Sequence, residues 1–220
     1  LDRTTLGVSG LPAAERFAAG PGLLSTFVVL QVVVYAGAQI PAGLLLDRYG
    51  SRALILAGAT LMAAGQLVLA STASLPLALG GRAVVGLGDA MTFISVLRLV
   101  PRWFPARQVP LVTQLTGICG QLGQVLSAVP FLALLSASGW TPAYTAAAGL
   151  GVLVLVLVAV LVKNAPDGVA VSAETMGVKE TLASVKTVWL RPGTRLGFWM
   201  HFVTQFTRFD KDNKPIGTYD

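Results

Sequence analysis

Charged residues are absent from three long stretches of this chain, residues 17–46, 53–81 and 108–162. Each exceeds the roughly 20 residues a helix needs to cross a bilayer. The third is long enough for two crossings, and Ser138-Gly139-Trp140-Thr141-Pro142 in its middle reads as a turn with an interfacial aromatic. The pattern predicts spans over Gly22 to Leu46, Ala53 to Ala70, Leu75 to Leu99, Pro110 to Ser136 and Tyr144 to Val162. The valine-rich run 152–162 resembles a buried strand, but the uncharged segment from Tyr144 is too long for one.

The ends read as incomplete. Leu1 to Gly10 looks like the remnant of a first helix, and residues 195–207 like the start of a seventh. The segment 208–220 is polar and cannot cross lipid, so it reads as a foreign tail or an interfacial foot. The organisation expected is a transmembrane bundle over 1–162, a polar loop over 163–194, a partial span and a tail. The fold class is all-α, a helical membrane bundle with about five complete spans.

Composition agrees: 54% of residues are hydrophobic, 12% are charged, and the mean hydropathy is +0.72. The net charge of +6 needs no nucleic-acid partner once its placement is considered. Arg48 and Arg52, then Arg98, Arg102 and Arg107, then Lys163, Lys179, Lys186, Arg191 and Arg195 all fall on one side of the predicted spans. The positive-inside rule makes loops 47–52, 98–109 and 163–195 cytoplasmic. Leu182, Val185 and Trp189 recur at helical spacing among lysines, which suits an amphipathic helix on that membrane surface; a disordered linker is the alternative. Cys119 is single, supports no disulfide framework, and reads as a small packing residue.

Ionisable groups at membrane depth are costly and tend to mark substrate or ion paths. Arg82 and Asp89 lie within one span, seven residues apart, and Arg82, Gly86, Asp89 and Phe93 form a stripe expected to face a cavity. Their rise of about 10 Å argues against a simple ion pair. Gln114, Gly117 and Gln121 form a similar stripe on the next span, with the glutamines open between packing and cavity lining. Gly117, Gly120 and Gly123 are expected to let helices pack closely. His201 has no acid or metal-ligand partner at useful spacing. Phosphate-loop and nucleophile-elbow motifs are both missing, so neither enzymatic activity, a cofactor nor a metal is expected.

Gly43, Leu45, Asp47, Arg48, Gly50 and Arg52 resemble the loop between the second and third helices of the major facilitator superfamily, and Arg82 with Gly86 and Gly88 is similar to its fourth-helix motif. Arg82, Gly86, Asp89, Ala90, Phe93, Arg98 and Trp103-Phe104-Pro105 follow the spacing of the anion:cation symporter branch. That resemblance implies an amino-terminal half of a transporter, with Asp89 in proton binding. The start, LDRTTLGV, resembles the branch's Asp-Arg motif, which implies a substrate carboxylate on Arg3 and proton coupling at Asp2. It also implies that Asp47 latches the two halves, meeting Arg98 or Arg102 in this half.

The glycine-proline pair of drug antiporters is absent, since Gly120 is followed by Gln121, which disfavours efflux. The function expected is proton-coupled transport of a small organic anion by alternating access. Substrate-binding candidates are Arg3, Arg82, Gln114 and Gln121, proton-coupling candidates Asp2 and Asp89, and gating candidates Gly43, Asp47, Arg48, Gly50, Arg52, Arg98 and Arg102. Its partners would be the solute, protons, the lipid bilayer and a carboxy-terminal half, in a bacterial plasma membrane. A porter for nitrate, a sugar or a drug, and a non-transporting membrane fragment, remain alternatives.

Overall fold

The computed structural model describes residues 9–18, 20–166 and 178–206. It is helical throughout, with no strand among the described residues. The helices are α1 (Gly10–Phe17), α2 (Pro21–Ser71), α3 (Leu75–Trp103), α4 (Val109–Ser138), α5 (Trp140–Leu161), α6 (Val178–Leu190) and α7 (Pro192–Phe206). The chain divides into two compact units, Leu1–Thr175 with α1 to α5 and Met176–Asp220 with α6 and α7.

α2 has 51 residues, which as a straight helix would measure about 75 Å, more than twice the hydrocarbon thickness of a bilayer. It is not straight, because Gly50 leaves the helical region at φ 80 and ψ 167. The contacts on α3 give the consequence. On the first arm (21–49) Gln31 lies against Gly86 and Gly43 against Ile94, so this arm runs parallel to α3. On the second (51–71) Gly58 lies against Gly88 and Gly65 against Gly81, so that arm runs antiparallel. The chain therefore reverses at Gly50, and α2 supplies two crossings. The loop expected over 47–52 is one glycine in a conformation other residues seldom adopt.

The second expected turn is equally short. Gly139 alone, at φ 84, separates α4 from α5, and Trp140 and Pro142 belong to the first turn of α5 instead of the loop. Proline is tolerated there because the first amides of a helix have no intrahelical acceptor. Arg98 and Arg102 likewise lie on α3, which runs to Trp103. The first helix also differs from expectation, since α1 continues through Glu15 and Arg16 to Phe17.

From Ser25 onward α2, and all of α3, α4 and α5, are long and apolar enough to cross a membrane. Their outward faces carry large apolar side chains such as Leu126, Val129, Val160 and Leu161, each at least 70% exposed, as lipid-facing helices require.

One end of the bundle is sealed by aromatic packing and by caps on α2. Trp140 stacks on Tyr144 with centroids 4.2 Å apart, and Phe17 and Phe131 meet this pair edge-on. The last carbonyls of a helix have no intrahelical donor. Here Trp140 Nε1 donates to Leu69 O at 2.7 Å, Thr141 Oγ1 to Ala70 O at 3.0 Å, and Arg16 Nε to Thr72 O at 3.0 Å. The Arg16 guanidinium also lies over the Trp140 ring. Tyr144 and Ser9 hydrogen-bond at 2.9 Å, tying the start of α1 to α5.

Candidate functional site

α3 carries the ionisable groups, and its position is set by glycines. A Cβ on Gly88 would stand 2.5 Å from Gly58 O, and one on Gly65 would stand 2.7 Å from Gly81 O. One on Gly86 would lie 2.8 Å from Gln31 O. The backbones of α2 and α3 thus touch without side chains between them, a form of helix contact common in membranes.

Above this contact α3 turns Asp89, Thr92 and Phe93 toward α4. A cavity of about 480 Å³ lies there, lined also by Thr116, Gln121 and Gln124 of α4 and by Met62 of α2. Its volume is within the range of small-molecule sites. The hydroxyls of Thr92 and Thr116 donate to Gly88 O at 2.9 Å and Val112 O at 2.8 Å. What they offer a ligand is therefore an acceptor. The amides of Gln121 and Gln124 are neutral donors in the wall, and Asp89 is its only ionisable residue among the described residues.

The stripe expected to face this cavity is split. Asp89 and Phe93 line it, Gly86 packs on α2, and Arg82 is 1% exposed and outside the lining. The stripe on α4 is split as well, with Gly117 and Gln121 in the lining and the exposed Gln114 outside it. Gly117, Gly120 and Gly123 do not pack against another helix among the described residues, because a Cβ on any of them would meet nothing within 4 Å. They border open space: Gly117 and Gly120 line the Asp89 cavity, and Gly120 and Gly123 line a second cavity of about 340 Å³ between α2, α4 and α5. Cys119, expected as a packing residue, is exposed and lines this second cavity. Asp2 and Arg3 lie outside the described residues, as does the side chain of His201.

A separate polar cluster surrounds the reversal of α2. Arg98 Nη1 forms an ion pair with Asp47 Oδ1, joining the first arm of α2 to α3. Arg52 Nη2 donates to Ala159 O at 2.6 Å, one of the carbonyls left open at the end of α5, where a cation is also favoured by the helix dipole. Arg52 N donates to Asn164 Oδ1 at 2.8 Å, and the Asn164 amide lies against Gly50. Arg48 stands over the Tyr49 ring, and Arg102 Nη1 is buried with no hydrogen-bond partner among the described residues. The gating candidates thus fall into one region, with Gly43 nearby against Ile94.

Several contributors escaped the sequence reading. Gln31 and Gln66 are buried polar residues on α2, and Gln124 and Thr116 complete the cavity wall. A polar residue in an apolar span is a usable signal for the glutamines. Asn164 and Arg16 carry none, because each bonds a backbone group far away in sequence, Asn164 Oδ1 accepting from Arg52 N and Arg16 Nε donating to Thr72 O.

Known proteins of similar sequence fit this architecture. The chain is 25% identical to the probable galactarate/D-glucarate transporter GarP of Escherichia coli (strain K12), over 93% of this chain and 48% of that protein. It is 20% identical to the probable sulfoacetate transporter SauU of Cupriavidus necator, over 76% of this chain and 39% of that protein. The chain spans about half the length of the curated relatives it matches, and the match falls on their amino-terminal half. These relatives are transporters and not enzymes. The family model described as Major Facilitator Superfamily matches residues 1–209, and the chain is an integral membrane protein belonging to that superfamily.

Proposed function

We propose that this chain is the amino-terminal half of a secondary transporter that moves a small organic anion together with protons by alternating access. The observation that carries the reading is the cavity itself, in which one acid, Asp89, faces the amide-bearing residues of α4. Its chemistry supports coupling. Ionised Asp89 would repel an anion across a site of this size, whereas a protonated carboxyl removes the repulsion and adds a donor beside Gln121 and Gln124. Anion and proton then bind together, and each raises the affinity for the other by the same factor. The names of the relatives, a galactarate/D-glucarate and a sulfoacetate transporter, point to the same class of solute.

Gln121 acts as a substrate donor in this proposal, and Gln114 further along α4 as a contact on the approach. Arg82 attracts the anion through the low-dielectric bundle over roughly 10 Å in this conformation and not by touching it. Arg3 holds a substrate carboxylate through a two-pronged fork, and Asp2 joins Asp89 in proton coupling. The Asp47 and Arg98 pair, with Gly43, Arg48, Gly50, Arg52 and Arg102 around it, serves as a gate on the cytoplasmic side, which is the side that carries the basic loops. The bacterial plasma membrane is the proposed location. The second half supplies the facing wall, as in transporters built from repeats that rock about a central site.

The test is uptake of labelled galactarate into proteoliposomes that contain this chain together with its proposed carboxy-terminal half. An inward proton gradient should drive accumulation, and Arg82→Ala should reduce it. Uptake that ignores the gradient contradicts proton coupling, and no uptake of any organic acid contradicts the solute class.

A further inference from the structure

The unit formed by α6 and α7 carries a cationic and aromatic surface. From residue 181 to residue 206 there is no acidic residue, while Lys186, Arg191 and Arg195 fall within ten positions. The three cationic residues are exposed. Interspersed with them in sequence are large apolar side chains that are also exposed: Val185 at 50%, Trp189 at 43%, Phe198 at 47% and Trp199 at 54%.

The join between the helices brings the aromatic groups together. α6 ends at Leu190, and Pro192 opens α7, where its fixed φ and missing amide hydrogen suit a first helical position. Arg191 is the hinge between them. Its amide closes the end of α6 on Val188 O at 3.1 Å, and its carbonyl accepts from Thr194 N at 3.1 Å and Arg195 N at 3.3 Å. The bend brings the Trp189 ring within 5.0 Å of Phe198, edge to face, and Phe198 meets Trp199 at 5.4 Å. Exposed indole rings next to arginine and lysine fit the headgroup layer of a membrane, where the ring is half wetted and the cation meets lipid phosphate.

We infer that the elbow between α6 and α7 is a docking surface for anionic phospholipids, with Lys186, Arg191 and Arg195 on the headgroup phosphates and Trp189, Phe198 and Trp199 at the level of the upper acyl chains. Charge complementarity selects the occupant: Lys186, Arg191 and Arg195 against a single acid, Glu180 in the first turn of α6, favour a negatively charged headgroup over a zwitterionic one, by roughly fivefold for each cation near the surface. The inference rests on the membrane placement of the chain and is independent of which solute is carried.

The experiment is lipid retention by the full 220-residue chain in neutral detergent, titrated with phosphatidylglycerol or phosphatidylcholine and read by native mass spectrometry and by tryptophan emission. The wild type should retain phosphatidylglycerol over phosphatidylcholine by at least about tenfold. The triple substitution Lys186→Gln, Arg191→Gln, Arg195→Gln should abolish the preference, and the charge-conserving set Lys186→Arg, Arg191→Lys, Arg195→Lys should keep it. Equal retention by the wild type and the glutamine variant would overturn the inference. So would displacement of phosphatidylglycerol by millimolar inorganic phosphate, which would assign the site to a free anion. Transport is not read in this assay, so its failure leaves the solute proposal to be judged by uptake alone.

Discussion

Two sets of glycines recur at helical spacing in this chain and meet opposite surroundings. Gly58, Gly65, Gly81 and Gly88 bring α2 and α3 together so closely that an added Cβ would fall between 2.5 and 3.1 Å from a facing backbone oxygen. Gly117, Gly120 and Gly123 on α4 face nothing within 4 Å and border cavities. The first set fixes a rigid pair of helices that carries Asp89. The second leaves space opposite that residue. A glycine is useful in a membrane bundle for its missing side chain, and the neighbouring helix decides whether backbone or ligand fills the vacancy.

Substitutions separate the two regions. Gly88→Leu places a whole side chain where there is no room for one carbon, and it should abolish a stable monodisperse protein in detergent size-exclusion chromatography. Gly88→Ala should survive with a loss of about 1–3 kcal/mol in thermal or denaturant unfolding, the usual range for an overpacked contact. A Gly88→Ala variant of wild-type stability would show that α2 and α3 can part without penalty.

On the open side the response should appear in transport and not in folding. Gly120→Trp fills the cavity beside Gln121, so it should leave the unfolding midpoint nearly unchanged while weakening solute affinity on the order of tenfold, or about 1.4 kcal/mol. Equal loss of stability in Gly120→Trp and Gly88→Leu would erase the distinction between the regions.

Asp47→Asn tests the cluster at the α2 reversal. The pair with Arg98 is partly exposed, 23% and 35% for the two side chains, so its contribution should be below about 1 kcal/mol. The exchange Asp47→Arg with Arg98→Asp should recover part of what either single change removes, as measured in a double-mutant cycle. Gly120→Ala should act in the opposite direction: a methyl group enters open space and helix propensity improves, so unfolding should shift by about 0.5–1 kcal/mol in the stabilising direction.

Much of this architecture is legible in the sequence. The gaps between charges locate the spans, because burying an unpaired charge in hydrocarbon is costly whatever the tertiary fold. They also place both reversals, with Gly50 and Gly139 taking the positive φ that the short turns need. The repeat of Leu182, Val185 and Trp189 falls on α6.

What periodicity cannot supply is the identity of the opposing wall. It groups Gly117 and Gln121, which share the cavity wall, with Gln114, which does not, and it groups Arg82 with Asp89 although only Asp89 reaches the cavity. The reason is the lateral placement of α2. Its first arm lies against Gly86, so the face of α3 is shared between a packed half and an open half. Arg16 shows the same limit at the sealed end. Its partners are carbonyls of residues 70 and 72, and backbone atoms leave no trace in a side-chain pattern.

The proposed coupling of proton to solute at Asp89 is decided by comparing gradient-driven uptake with solute exchange. In proteoliposomes holding the chain and its proposed second half, Asp89→Asn should abolish accumulation of galactarate under an inward proton gradient yet retain exchange of labelled for unlabelled solute, since a neutral amide mimics the protonated acid. Gradient-driven accumulation by Asp89→Asn at the wild-type level would show that Asp89 does not couple the proton.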